Sequence, residues 1–250
     1  MTPPALIARL AAFGDLGTGE LDLLMRMAGP TLQLKRRAVV RRQGDGEPAA
    51  FLLLSGWAAS HMTLPGGARR MTQVYMTGDM LGTASLALTC AADTIAALTD
   101  CVVLRMPLGA FGELFEDSPR LAALLFLVAL EERMLLADRL ASMSASSVIE
   151  LVAALVLHLH GRLVRLGADG AAAFHVPLTQ RDLADLAGAT PVHVNRVLRQ
   201  LQDRGVIRWS EQVVTILDRP ALQDLSNAPT RDFVHEPAWL PATRGAVPAA

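Results

Sequence analysis

The sequence predicts an α+β chain in three parts: a compact all-β unit, a long apolar helix, and two short capped helices followed by a hairpin. Three textures carry that reading. Between Leu32 and Met106, short apolar runs alternate with glycine-containing turns. From Pro119 to Met143 the apolar positions recur with helical spacing. From Pro177 to Ile207, two amphipathic stretches are each opened by a threonine and are separated by a glycine.

Taken in order, Leu6, Leu10, Leu21, Leu24 and Met25 mark short helices interrupted around Gly14–Gly19. Ala38–Val40, Phe51–Leu54, Gln73–Met76, Thr94–Leu98 and Val102–Met106 read as strands. Turn chemistry separates them at Gly44-Asp45-Gly46, Ser55-Gly56, Pro65-Gly66-Gly67 and Gly78-Asp79. The pattern alone leaves open whether this unit holds a ligand or is only a scaffold. Phe111 to Phe115 reads as one or two helical turns. The long helix after Pro119 is apolar almost all round over Arg120–Leu130, so it needs cover on two sides. Burial inside one large monomer, or packing on its own β unit and on a second subunit, both meet that need. Ser144-Ala145-Ser146-Ser147 is a polar break, read as a hinge. Val148 to Val164 is amphipathic; His158 and His160, two apart, point to different faces and read as surface or boundary residues.

Thr179 is an N-cap answered by Asp182, and Leu183 and Leu186 form a short apolar face. Gly188 provides a turn, and Thr190 caps a second helix whose first position is Pro191. Val194, Val197, Leu198 and Leu201 then fall on one stripe, leaving His193, Asn195, Arg196, Arg199 and Gln200 opposite. That is a helix-turn-helix, whose second helix enters a DNA major groove when the motif binds DNA. The same two capped helices also suit a winged-helix protein–protein module. Val206–Trp209 and Val213–Ile216 around Ser210-Glu211-Gln212 read as a β-hairpin wing. The expected divisions are 1–117, 118–145, 146–219, and a loosely attached tail over 220–250.

Composition narrows the function classes. With 23 Lys+Arg against 24 Asp+Glu the net charge is −1, so no global field holds nucleic acid. The basic excess is local: Arg181, Arg196, Arg199, Arg204 and Arg208 against Asp182, Asp185 and Asp203. Two cysteines without motif spacing exclude a disulfide framework or zinc ribbon. No signal peptide is expected, and the longest apolar run, Leu121–Leu130, is too short to span a bilayer. A cytoplasmic protein without a membrane partner is the expectation.

The run TQRDLADLAGATPVHVNRVLRQLQDRGVI, with FLLLSGWAAS and GDMLGTASL before it, resembles the CRP/FNR superfamily of bacterial transcription regulators over residues 20–217. The resemblance implies an N-terminal double-stranded β-roll of cyclic-nucleotide-binding type, a dimerisation helix and a winged helix-turn-helix. It also implies a homodimer on double-stranded DNA with a two-fold operator, RNA polymerase as a partner, and no enzymatic activity. Arg196 is the first candidate for reading a guanine, since its planar fork matches O6 and N7 together. Asn195 suits adenine or a phosphate, and His193 a guanine N7 or a phosphate. Thr179, Gln180, Arg181 and Arg199 are candidates for phosphate contacts; for Arg199 and Arg204 a solvated face is the alternative.

Departures from the family pattern matter. Val192 stands where an acidic residue commonly accepts from cytosine, so a different half-site is expected. The effector-pocket positions align with Gly82, Thr83, Asp93, Thr94, Asp138 and Arg139. Thr83 replaces the ribose-binding glutamate, and Asp93 the phosphate-binding arginine, which disfavours cyclic AMP. No N-terminal cysteine cluster is present for an iron–sulfur centre. Cys90 and Cys101 read as buried inert thiols, with a redox pair as the alternative. His61 and Met62 are conceivable haem ligands without supporting spacing, and no metal site is expected. The cofactor or effector stays unidentified, with an effector-independent regulator as the alternative.

Overall fold

A computed structural model describes residues 4–27, 29–46, 49–166, 172–227, 229 and 231–243. The chain forms two compact units: residues up to Glu131 together with those from Asp232, and Glu132–Arg231.

The first unit is built on two antiparallel four-stranded sheets. One has the order β1 (Thr31–Leu34), β8 (Cys101–Met106), β3 (Ala50–Ser55), β6 (Met80–Leu81). The other has the order β2 (Val39–Arg41), β7 (Thr94–Ala97), β4 (Trp57–Thr63), β5 (Arg69–Met76). The β3 sequence is apolar without alternation because both of its faces are covered. Phe51 and Leu53 enter one core with Tyr75, Ile95 and Val103. Ala50 and Leu52 enter a second core with Leu10, Leu24 and Leu121, from helices α1 (Pro4–Ala11), α2 (Thr18–Arg26) and α4 (Pro119–Ala145). Helix α3 (Leu108–Asp117) is longer than the turn or two expected around Phe111–Phe115, beginning directly after Pro107. Opposite Ser60 and His61 of β4, both buried, the β5 strand carries a bulge at Thr72.

The segment expected as a loose tail is ordered where it is described. Helix α8 (Arg219–Ser226) starts on the Asp218 cap and buries Leu222. Beyond it the chain returns to the first unit: Glu236 N donates to Phe13 O at 2.9 Å, and Leu240 joins the helix-side core. Arg120, buried, donates to Asp15 O and to Pro241 O and pairs with the Glu236 carboxylate. Phe233 lies edge-on to Phe13 with centroids 5.7 Å apart. These anchors have no regular spacing, so no period announced them. The Arg120 guanidinium holds the Glu236 carboxyl below the usual carboxylate range.

The second unit gathers the end of α4, then α5 (Val148–Arg165), α6 (Gln180–Leu186), α7 (Pro191–Asp203), α8 and a small sheet. The sheet order is β10 (Ile207–Ser210), β11 (Val213–Ile216), β9 (Ala173–His175). Ser147 precedes α5 and receives the Glu150 carboxylate on its N–H at 3.1 Å, so the helical break falls where the polar run placed it. Of the two histidines expected at the surface or boundary, His158 is half-buried and His160 is buried. The His160 Nδ1 is 3.0 Å from Arg219 Nη1, and its ring packs on Phe174.

The β10–β11 hairpin closes through Glu211 and Gln212, both left-handed at φ 48° and 67°, between the paired Ser210 and Val213. Two successive positive φ values make a type I′ turn, which suits the twist of a hairpin but disfavours side chains with a Cβ. Gln212→Gly is expected to stabilise the fold by roughly 0.5–1 kcal/mol, read as a raised denaturant midpoint with an unchanged slope.

Candidate nucleic-acid interface and sensor core

The α6–α7 unit is fixed at every terminus. Asp182 N donates to Thr179 Oγ1 at 3.2 Å while Thr179 N donates to Asp182 Oδ2 at 2.8 Å, a reciprocal capping box. Gly188, at φ 62°, ends α6; Ala189 N reaches Ala184 O at 2.8 Å and Gly188 N reaches Asp185 O at 3.4 Å. That pair of bonds is the Schellman closure, and it needs the left-handed residue. His193 N donates to Thr190 Oγ1 at 3.3 Å, and Pro191 occupies the first turn of α7. Val194, Val197, Leu198 and Leu201 are all buried, against a core that includes Leu183 and Leu186.

What remains outside is the polar face. Arg196, Arg199 and Gln200 are exposed, His193 and Asn195 half-buried, and Val192 is 82% exposed. Thr179, Gln180 and Arg181 are exposed at the start of α6. Among the described residues, Arg181, Arg196 and Arg199 take no ion-pair partner. Three guanidinium groups free of carboxylates, on or beside a helix rigidly capped at both ends, can meet phosphate oxygens and base edges without first breaking internal bonds.

The interior of the β-sheet unit holds a polar network that sequence reasoning located only in part. Arg41, at the end of β2, is buried and pairs with the Asp93 carboxylate. Its Nη2 also donates to Ser85 Oγ at 2.8 Å, and its Nη1 to Gly82 O at 3.2 Å. The second Asp93 oxygen accepts from Ser60 Oγ, which receives Thr72 Oγ1 at 3.0 Å. Gly82 is left-handed at φ 82°, and a Cβ there would lie 2.7 Å from both Ala49 O and Arg41 Nη1. Thr83 opens the 3₁₀ turn Thr83–Ser85, and Thr94 Oγ1 accepts from Gln43 N at 3.0 Å. Asp138 and Arg139 lie in the other unit, where Asp138 takes the Arg231 guanidinium at 2.6 and 3.1 Å. Burial pushes the Arg139 guanidinium down.

Two family descriptions match this chain: a cyclic nucleotide-binding domain over residues 31–118 and a Crp-like helix-turn-helix domain over residues 152–225. The chain belongs to the CRP/FNR superfamily of transcription regulators. The nitrogen fixation regulation protein FixK of Bradyrhizobium diazoefficiens is 29% identical over 180 residues, covering 71% of this chain and 74% of the relative. The fumarate and nitrate reduction regulatory protein of Escherichia coli K12 is 21% identical over 220 residues, 88% of each chain. FixK2 from Bradyrhizobium japonicum shares the fold, with a TM-score of 0.70 over 81% of this chain and 99% of that one, at 20% identity.

This CRP/FNR protein is therefore a DNA-binding transcription regulator of α+β architecture, and not an enzyme. Among its described residues, no helix is long and apolar enough to cross a membrane, and no group of three or more His, Cys, Asp or Glu is placed to hold a metal. The regulator's Cys101 is buried, and burial raises its thiol pKa; Cys90 is exposed, contrary to the expectation of two buried thiols. The residue missed in its sensor is Arg41. The signal available was an arginine ending the apolar pair Val39-Val40 in a strand of a two-layered unit, where a charge needs a buried partner.

Proposed function

We propose that this regulator binds a two-fold-symmetric operator as a homodimer in the cytoplasm, with Arg196 of each subunit reading a base pair. The observation that carries the reading is the polar, partner-free face of α7, held on a buried apolar stripe by caps at both ends. His193 and Asn195 make further base contacts, and Thr179, Gln180, Arg181 and Arg199 grip the phosphates. The long helix supports the dimer: α4 leaves Phe126, Met134, Leu136, Leu140 and Met143 exposed on a single chain. A second copy laid along that helix would bury them, and paired half-sites are how helix-turn-helix readers gain affinity. Contact with RNA polymerase follows from a role in transcription. Val192, exposed and unable to accept a hydrogen bond, favours a thymine methyl over a cytosine amino group in the half-site.

The test is binding selection on random duplexes, followed by a salt titration of the selected duplex. Two cationic phosphate contacts per subunit predict that log K falls with log salt at a slope of about −3 to −4. Association that ignores ionic strength would make the winged helix a protein–protein module instead. Leu140→Glu places a charge on the apolar helix face and is expected to shift the protein from dimer to monomer in sedimentation. Its DNA affinity should fall at least about tenfold, since each half-site is then bound alone.

A further inference from the structure

Within the stretch matched to a cyclic nucleotide-binding domain, Arg41 is the only arginine or lysine that is buried among the described residues. A cyclic nucleotide is an anion, and an anion leaving water for the interior between two sheets needs a cation or several strong donors to replace its hydration. Here that cation already has a counter-ion. Arg41 is 6% exposed and Asp93 8%, and Asp93 accepts from Arg41 on one oxygen and from Ser60 on the other. Ser60 and Ser85 are 2% and 0% exposed, so the hydroxyls around the pair are withdrawn from water as well. The Ala49 and Gly82 carbonyls close the far side of the guanidinium, at 3.4 and 3.2 Å from Nη1.

We propose that Asp93 is a resident intramolecular ligand. Its carboxylate fills the anion site made by Arg41 and Ser60, so the sensor carries its own counter-ion and takes no anionic effector there. The site as built fits one small oxyanion of carboxylate size. It becomes available to an external one only when the Asp93 carboxylate is removed. The consequence at DNA rests on the regulator reading above; the ligand chemistry rests on the sensor network alone. On that reading this regulator's DNA binding is indifferent to cyclic nucleotides.

The experiment compares the full-length wild type, Asp93→Ala, and Arg41→Met/Asp93→Ala by thermal unfolding, in sodium formate and in sodium chloride of equal ionic strength. Formate supplies the group that the alanine lacks. The Asp93→Ala protein is expected to melt lower than wild type in chloride, and formate should raise its Tm by about 5 °C more than it raises that of wild type, in a saturable manner. The double variant should lose that response, because Arg41 holds the anion. Should Asp93→Ala fail to fold in chloride, return of its folded signal in formate supports the proposal and no return overturns it. A folded Asp93→Ala whose response to formate equals that of wild type also overturns it. Calorimetric titration of wild type with cyclic AMP is expected to show no saturable binding; saturable binding that disappears in Arg41→Met would overturn the proposal directly. Anisotropy on the selected duplex is read on the same wild-type preparation. Failure there strikes the DNA-binding reading and leaves the formate response to stand or fall alone.

Discussion

Replacing Arg9 by methionine is expected to cost the folded state about 3–5 kcal/mol, the range for removing one partner of a buried ion pair. Arg9, on α1, pairs with the Glu131 carboxylate of α4 and lies 3.6 Å from Asp79 Oδ1. All three side chains are almost wholly buried. Methionine keeps much of the apolar stem, so the loss would report charge and not volume. Without the guanidinium, two carboxylates stay in the low-dielectric interior with no shared cation. The effect should be local to this cluster and therefore partly reversible: adding Glu131→Gln to Arg9→Met is expected to return about 1 kcal/mol or more of the loss, a coupling typical of contacting residues. Denaturant midpoints of wild type, the two single variants and the double variant measure it. A cost for Arg9→Met below about 1 kcal/mol would mean that the cluster stabilises the fold little beyond its packing.

Replacing Arg196 by alanine is expected to weaken specific DNA binding by about 1–3 kcal/mol and to relax preference at one guanine per half-site. Arg196 is exposed, takes no ion-pair partner, and extends from a helix whose opposite stripe is buried, so stability should scarcely change. Arg199→Ala is the informative companion. A phosphate contact there predicts weaker binding to every sequence and a shallower salt slope, with base preferences unchanged. Binding selection on the three proteins separates the roles: equal relaxation by both substitutions would withdraw the base-reading assignment of Arg196.

The parts that were legible are those whose signals are local. Thr179, Gly188, Thr190 and Pro191 each fix a dihedral angle or satisfy a terminal amide within a few residues, and both ends of α6 and the start of α7 fall at them. The polar face of α7 followed, because a buried stripe of Val194, Val197, Leu198 and Leu201 leaves only one other face. Strands β1, β4 and β6 were not legible. β1 has three exposed residues of four, β6 is two residues long, and β4 buries Ala58, Ala59, Ser60 and His61 in succession, so no alternation marks it as a strand. In the sensor, Asp93 was legible as a residue unsuited to an external phosphate. Its partner was not, because Arg41 is 52 positions away and meets it only through the register of the sheets. His160 escaped for a similar reason: Arg219 and Phe174, which bury it, come from α8 and β9.

The return of residues 233–241 to α1 and α4 has a consequence for how the protein is made. Arg120 is 3% exposed, yet part of what covers it, Glu236 and Pro241, is over a hundred positions downstream. During translation the early strands and helices emerge first, and domains ordinarily begin to fold as they leave the ribosome. Here the first unit waits for residues more than a hundred positions further along before the Arg120 charge is neutralised and Leu240 fills its place. A chain halted after α8 would carry the whole helix-turn-helix beside an amino-terminal unit left open at one corner, a state that quality-control proteases can recognise.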